Sequence, residues 1–196
     1  MSKRTFYVCA LIAVLAGFGT SSARAITVDA QANSSSGGSG AATGVFLTLG
    51  QAFTVSAGPN DLWNAGPLPR WSNADGLTGD RFATGIDESG QADGTQIGAN
   101  FGLHSQSGFS APFGSLVGQI GSSFVLLGTN FSGMAIASGE LFLYYWDSNS
   151  GDNTGSIAAT ISAAAVPGPI VGAGLPGILM ALGGLIAWRR RRMVAA

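Results

Sequence analysis

Cysteine is all but missing from this chain. The one thiol among 196 residues is Cys9, in an apolar stretch at the N-terminus. The body that follows therefore has no disulfide, no thiolate metal ligand and no cysteine nucleophile. Positive charge is almost as scarce. From residue 26 to the terminal arginines the only cations are Arg70 and Arg81. Against them stand ten acids: Asp29, Asp61, Asp75, Asp80, Asp87, Glu88, Asp93, Glu140, Asp147 and Asp152, for a net charge of −8. Nucleic acids are bound by cationic surface that displaces counterions, so they are excluded as partners. The balance suits divalent cations or neutral ligands, and it serves solubility equally well. Histidine occurs once, as His104 between Leu103 and Ser105, the setting of a surface or edge-strand residue rather than of a base. No serine sits in a G-x-S-x-G strand–turn–helix context. Asp87 and Glu88 are adjacent, so their side chains point apart and read as a solvated loop rather than a glycosidase pair. The chain is not expected to be an enzyme, and a glycoside hydrolase is the weakest of the alternatives.

What the sequence does have is concentrated at its ends. Lys3 and Arg4 precede an apolar run over 6–18, and Ala23-Arg24-Ala25 has the small-residue spacing of a cleavage site. Residues 1–25 are predicted to be a secretory signal peptide. At the other end Val166-Pro167-Gly168-Pro169 cannot be regular helix or sheet, because proline fixes φ and removes donors. It leads into an uncharged run over 170–188, which stops at Arg189-Arg190-Arg191-Arg192. That run is close to the ~20 residues needed to cross a bilayer core. Four arginines hold its far end in the cytoplasm. The expected organisation is a leader (1–25), a flexible Ser/Gly-rich lead-in (26–44), a body (45–162), a linker (163–169), a transmembrane helix (170–188) and a basic tail (189–196).

The body reads as all-β. Short runs rich in β-branched and aromatic residues cover 45–49, 52–56, 115–120, 124–128, 139–146 and 156–161, with a weaker one at 101–103, separated by Gly-rich turns. No stretch offers a capped helical period. Residues 62–99 are polar but carry Trp63 and Trp71. A structureless loop of that length is unusual, so an excursion pinned by the two tryptophans is expected, with short strands near Phe82 and Ile97. Many short strands with glycine turns imply a β-sandwich.

The segment that could carry chemistry lies between the last two strands. Asp147, Asn149, Asp152 and Asn153 supply side-chain oxygens within seven residues, Ser150 and Thr154 add hydroxyls, and Gly151 and Gly155 allow sharp folding. Hard cations such as Ca²⁺ take several oxygen ligands at once. The same residues also make ordinary turns, where their side chains bond the local backbone. Trp63, Trp71 and Trp146 could stack on sugar rings or pack a Gly-rich core.

Two resemblances sharpen this reading. The leader, the V-P-G-P element, the apolar run and the arginine cluster resemble the PEP-CTERM sorting architecture of Gram-negative bacteria, with Gly168 where that family most often has glutamate. The resemblance implies export across the inner membrane and anchoring in that membrane. It also implies processing near residues 166–169 by an exosortase, then a place at the cell surface or in an extracellular biofilm matrix. Glu140 to Asp147, followed by Asp152-Asn153-Thr154-Gly155-Ser156-Ile157, resembles the end of the LecA-type galactose-binding lectin domain, a small sandwich of Greek-key or jelly-roll type. That resemblance implies a Ca²⁺ ion held by Asp147, Asp152 and Asn153. It implies a sugar met by Asn153, Asp152 and Trp63, and it makes Trp63 the counterpart of an aromatic residue that gives its backbone carbonyl to the ion. The implied function is Ca²⁺-dependent carbohydrate binding, with exopolysaccharide or the envelope as the setting. The alternative is a structural matrix or adhesion protein that keeps the fold without a ligand site.

Overall fold

The computed structural model describes residues 23–164 together with 180, 182–186 and 190. The first stretch lies within one unit, Thr20–Ala165. Fourteen strands follow one another along it. They are β1 (Ala23–Asp29), β2 (Ala41–Leu47), β3 (Ala52–Ala57), β4 (Trp63–Asn64), β5 (Trp71–Ser72), β6 (Arg81–Phe82) and β7 (Gln96–Gly98). Then come β8 (Leu103–Gln106), β9 (Phe109–Pro112), β10 (Ser115–Ile120), β11 (Ser123–Leu126), β12 (Asn130–Met134), β13 (Gly139–Trp146) and β14 (Thr154–Ala163). One sheet has the order β11-β10-β13-β2. The other runs β12-β3-β14-β4-β5, with β1 also paired to β14.

Alternation explains why the two sheets face each other. In β13, Leu141, Leu143 and Tyr145 are buried; in β14, Ile157, Ala159 and Ile161 are. Side chains two apart share a face of a strand, so each strand offers one apolar row. The rows meet in one core with Val28, Phe53, Val55, Leu116 and Ile120. The result is the all-β sandwich expected from the sequence. Two short hairpins, β6–β7 and β8–β9, lie outside the two sheets. The stretch 62–99 also behaves as expected. Trp71 packs on a small cluster of Leu62, Ala83 and Ile97, and the strands near Phe82 and Ile97 pair with each other.

The expected lead-in over 26–44 is a correction. It carries β1 and β2, so the folded body starts well before residue 45. Strand β1 pairs with β14 from Ala23↔Ser162 to Asp29↔Ser156, and Val28 and Ala30 are fully buried. The Ser/Gly-rich stretch between these strands is packed. Ser34 is fully buried, the Ser35 amide donates to the Tyr145 carbonyl at 2.8 Å, and the Tyr145 amide donates to the Asn33 carbonyl at 3.0 Å. Small residues serve close approach here: a Cβ on Gly40 would lie 2.5 Å from the Tyr144 ring. Composition that reads as flexible is what lets this backbone lie against the sheet.

Residues 1–22 of the predicted leader (1–25) and the sorting motif Val166, Pro167, Gly168, Pro169 lie outside the described residues, while Ala23–Ala25 form the start of β1. Of the predicted anchor over 170–188, Met180 and residues 182–186 are described, and they are helical. Among the described residues no helix is long and apolar enough to cross a membrane.

Candidate functional site

The loop from β13 to β14 crosses from one sheet to the other, and it is short. Asp147 follows the last residue of β13, a single 3-10 turn spans Ser150–Asp152, and Asn153 leads into β14. Asn149 caps that turn, its side-chain oxygen accepting from the Gly151 amide at 3.1 Å. Its side-chain amide donates to Asp152 Oδ1 at 2.8 Å, and its backbone amide donates to Asp147 Oδ2 at 3.3 Å. One asparagine thus ties together the two carboxylates singled out in the sequence.

The packed N-terminal stretch supports this loop from behind. The Ser35 hydroxyl donates to the Asp147 carbonyl at 2.9 Å and accepts from the Asp147 amide at 3.0 Å. The Asn153 side-chain amide donates to the Ala30 carbonyl at 3.0 Å. Ala30 and Ser35 fall in the stretch set aside as lead-in, and no local pattern there connects them with the loop.

Asp147 and Asn153 are both buried. Burial pushes the Asp147 carboxyl above the usual carboxylate range. Hydrogen bonds from the Ser148 and Asn149 amides and from Asn153 oppose that shift, and the Asp152 charge adds to it. Tyr145 is pushed well above the usual phenol range, first by burial and then by the Asp147 and Asp152 charges. Among the described residues two buried side-chain polar atoms have no hydrogen-bond partner, the Tyr145 hydroxyl and Asn153 Oδ1. Buried polar atoms are normally satisfied, and these two sit on residues flanking the Asp147 turn.

A cavity of ≈ 190 Å³ opens against the loop. Asp147, Ser148, Asn149 and Asp152 form one side, with Ala65, Arg70, Leu77, Phe101 and Phe113 around the rest. The Arg70 Nη1 atom lies 3.8 Å from Asp152 Oδ2, and the guanidinium stands 5.2 Å over the Phe101 ring. Gly66 holds this corner open. Its φ is +116°, and a Cβ there would collide with the Asp152 carboxylate. Arg70, Phe101 and Phe113 were not among the residues predicted for the site, because they come from three loops far apart in sequence.

The side-chain donors of the loop are oxygens: the Asp147 and Asp152 carboxylates at the cavity and the buried, unpartnered Asn153 Oδ1. Such a set fits a hard cation of the Ca²⁺ kind. Among the described residues no three His, Cys, Asp or Glu side chains gather to hold a metal, so a cation here would depend on amide and backbone oxygens besides the two carboxylates.

Other residues named from the sequence are placed elsewhere. Trp63 is a correction. It is fully buried in the core, its ring packs edge-on against Tyr145 at 4.5 Å, and Nε1 donates to the Gly114 carbonyl at 2.8 Å. It cannot stack on a sugar. Trp146 is fully buried too, and its Nε1 donates to the His104 carbonyl at 2.8 Å. The His104 ring stands 5.2 Å from Phe113, as a packing group in β8. Asp87 caps its own turn, accepting from Thr84 and Ser89. The Ser89 bond, then the Thr84 amide, holds its carboxyl below the usual range.

No protein-family model matches the chain, and the search of curated proteins returned no match. Among solved structures it is similar to a chain described as "EclA N-terminal domain; PllA-like lectin". The TM-score is 0.46 and the identity 20%, covering 71% of this chain and 95% of that one.

Proposed function

We propose that this is an exported carbohydrate-binding protein whose site, at the β13–β14 loop, binds sugar through a Ca²⁺ ion. One observation carries the reading: a buried carboxylate, Asp147, and a buried, unpartnered amide oxygen, Asn153 Oδ1, lie in one short loop, and the Asp147, Ser148, Asn149 and Asp152 positions of that loop line a cavity shared with Phe101 and Phe113. Leaving such an oxygen unpaired costs about 1–3 kcal/mol, and a bound cation would recover it. Asp147, Asp152 and Asn153 would hold the ion, and they are the positions on which the sequence resembles the lectin loop. Ca²⁺ takes 6–8 oxygens and, when bound, neutralises the two carboxylates and offers its remaining positions to hydroxyl groups. The protein's own part is to fix the loop through Ser35, Ala30 and Asn149, and to wall the cavity with the apolar side chains of Leu77, Phe101 and Phe113.

A glycan array probed with the full chain, in millimolar Ca²⁺ and again in chelator, tests this. Retention of at least one glycan class only in Ca²⁺ is the expected result. Equal retention in chelator would remove the metal, and no retention at all would leave the matrix or adhesion reading. That second reading has its own support in the exposed apolar side chains Phe46, Leu49, Ile86 and Met134.

The same proposal includes sorting. The leader would be removed after Ala25, leaving Ile26–Asp29 as the remnant of β1, and the tail would be processed near residues 166–169. Intact-mass measurement of protein from the native cell surface should show a chain beginning at Ile26 and lacking 170–196. An intact arginine tail on that protein would leave a plain membrane anchor and no sorting step.

A further inference from the structure

Two arginines are the only cations that the folded body keeps beyond the leader, and they differ in what they face. Arg81 lies at the surface beside Phe82 and Asp87. Arg70 lines the same cavity as Asp147 and Asp152, and it is loosely held there. Nη1 is 3.8 Å from Asp152 Oδ2, with the Arg70 side chain 39% exposed. The other polar contact described for the Arg70 side chain is a long one, 3.4 Å from Nη1 to the Ala65 carbonyl. A guanidinium carries five donors in a planar fork, so most of that fork is unused by the described residues. The Phe101 ring beneath it, 5.2 Å from the guanidinium carbon, consumes no donor.

The charges around the cavity point the same way. Asp147 and Asp152 against Arg70 leave a net of −1, a surface that repels anions. A divalent cation held by the two carboxylates turns the balance to +1 and weakens the hold of Asp152 on Arg70. A neutral sugar can meet such a guanidinium only through single hydroxyl acceptors, whereas a carboxylate matches its fork with two parallel, charge-assisted hydrogen bonds. The volume, ≈ 190 Å³, lies below the ~300–1,000 Å³ of sites for drug-sized ligands and suits a single ring. We infer that the cavity takes a carboxylated sugar, a hexuronic acid unit of an acidic polysaccharide, with Arg70 reading the carboxylate. The inference rests on the Ca²⁺-dependent carbohydrate reading and adds the ligand class. It makes ion and sugar obligate partners, because the metal-free cavity carries the wrong sign for the ligand.

The test titrates the full chain, in detergent with millimolar Ca²⁺, with galacturonic and glucuronic acid, their methyl esters, and galactose and glucose. The ester keeps the ring and removes the charge. At least one acid should bind about tenfold tighter than its ester and than the neutral hexoses, as a charge-assisted pair does, and added salt should shrink that margin. In Arg70→Gln, checked for cooperative melting, acid and ester should bind alike, and Arg70→Lys should recover part of the margin. Acid and ester binding alike in the wild type, neutral hexoses binding tighter, or an undiminished margin in Arg70→Gln would each overturn the inference while leaving Ca²⁺-dependent sugar binding in place. A wild-type chain whose melting ignores Ca²⁺ would instead sink the metal reading, and this inference with it.

Discussion

In millimolar Ca²⁺ the purified chain should melt about 5–10 °C higher than in chelator, and Asp147→Asn should erase that difference. A ligand at a hundred times its dissociation constant, bound by the native state alone, adds about 2.7 kcal/mol. A domain of this size gains about 2–4 °C per kcal/mol. Asp147 is the probe because it is buried and its carboxyl is raised by that burial before any other cause. The sign follows from linkage. A carboxyl raised in the folded state contributes its stability below the ordinary value of ~3.9, and that contribution is lost as pH rises through the higher folded value. In chelator, Asp147→Asn should therefore gain on the wild type as pH rises from about 4 toward neutrality, because the variant has no charge to bury. With Ca²⁺ present the order reverses, since only the wild type binds the ion. Thermal melts at several pH values, with and without chelator, give both comparisons. Identical wild-type curves in Ca²⁺ and in chelator would reject the metal site.

Replacing Trp63 by alanine should lower the melting temperature by roughly 6–20 °C. Truncating a buried aromatic costs about 3–5 kcal/mol, converted at about 2–4 °C per kcal/mol. The ring is fully buried and packs edge-on against Tyr145. Its Nε1 donates to two carbonyls, Gly114 at 2.8 Å and Asn73 at 3.2 Å, which alanine would leave without that donor. The measurement separates two roles that the sequence could not distinguish. A large fall in melting temperature marks a core residue. Unchanged melting would contradict the core role.

The sandwich itself was legible in the text of the chain. Runs rich in β-branched and aromatic residues at 139–146 and 156–161, set off by glycine turns, mark strands, and the alternation of side chains along a strand then gives each one an apolar face. Those two strands carry Leu141, Leu143, Tyr145, Ile157 and Ile161 into the core. The acidic loop between them was legible for the same reason: a polar Asp/Asn/Gly stretch between two apolar strands has to turn at the surface. The near absence of cysteine left the body without a disulfide or a thiolate metal ligand of its own, and the scarcity of positive charge argued against nucleic acid as a partner, whatever the fold.

Tertiary structure decided what surrounds that loop. Ser35 and Ala30 hold it from more than a hundred positions away in the chain, through a backbone contact to Asp147 and an acceptor for Asn153. No local pattern announces such pairings, because small polar residues look alike whether solvated or packed against a sheet. Arg70 and Phe101 reach the cavity from separate loops whose convergence depends on how the β4–β5 and β7–β8 connections lie. Trp63 shows the opposite case. Its identity fits a sugar platform and a core residue equally, and only the closure of β13 and β14 over it, which excludes water from the ring, made it core.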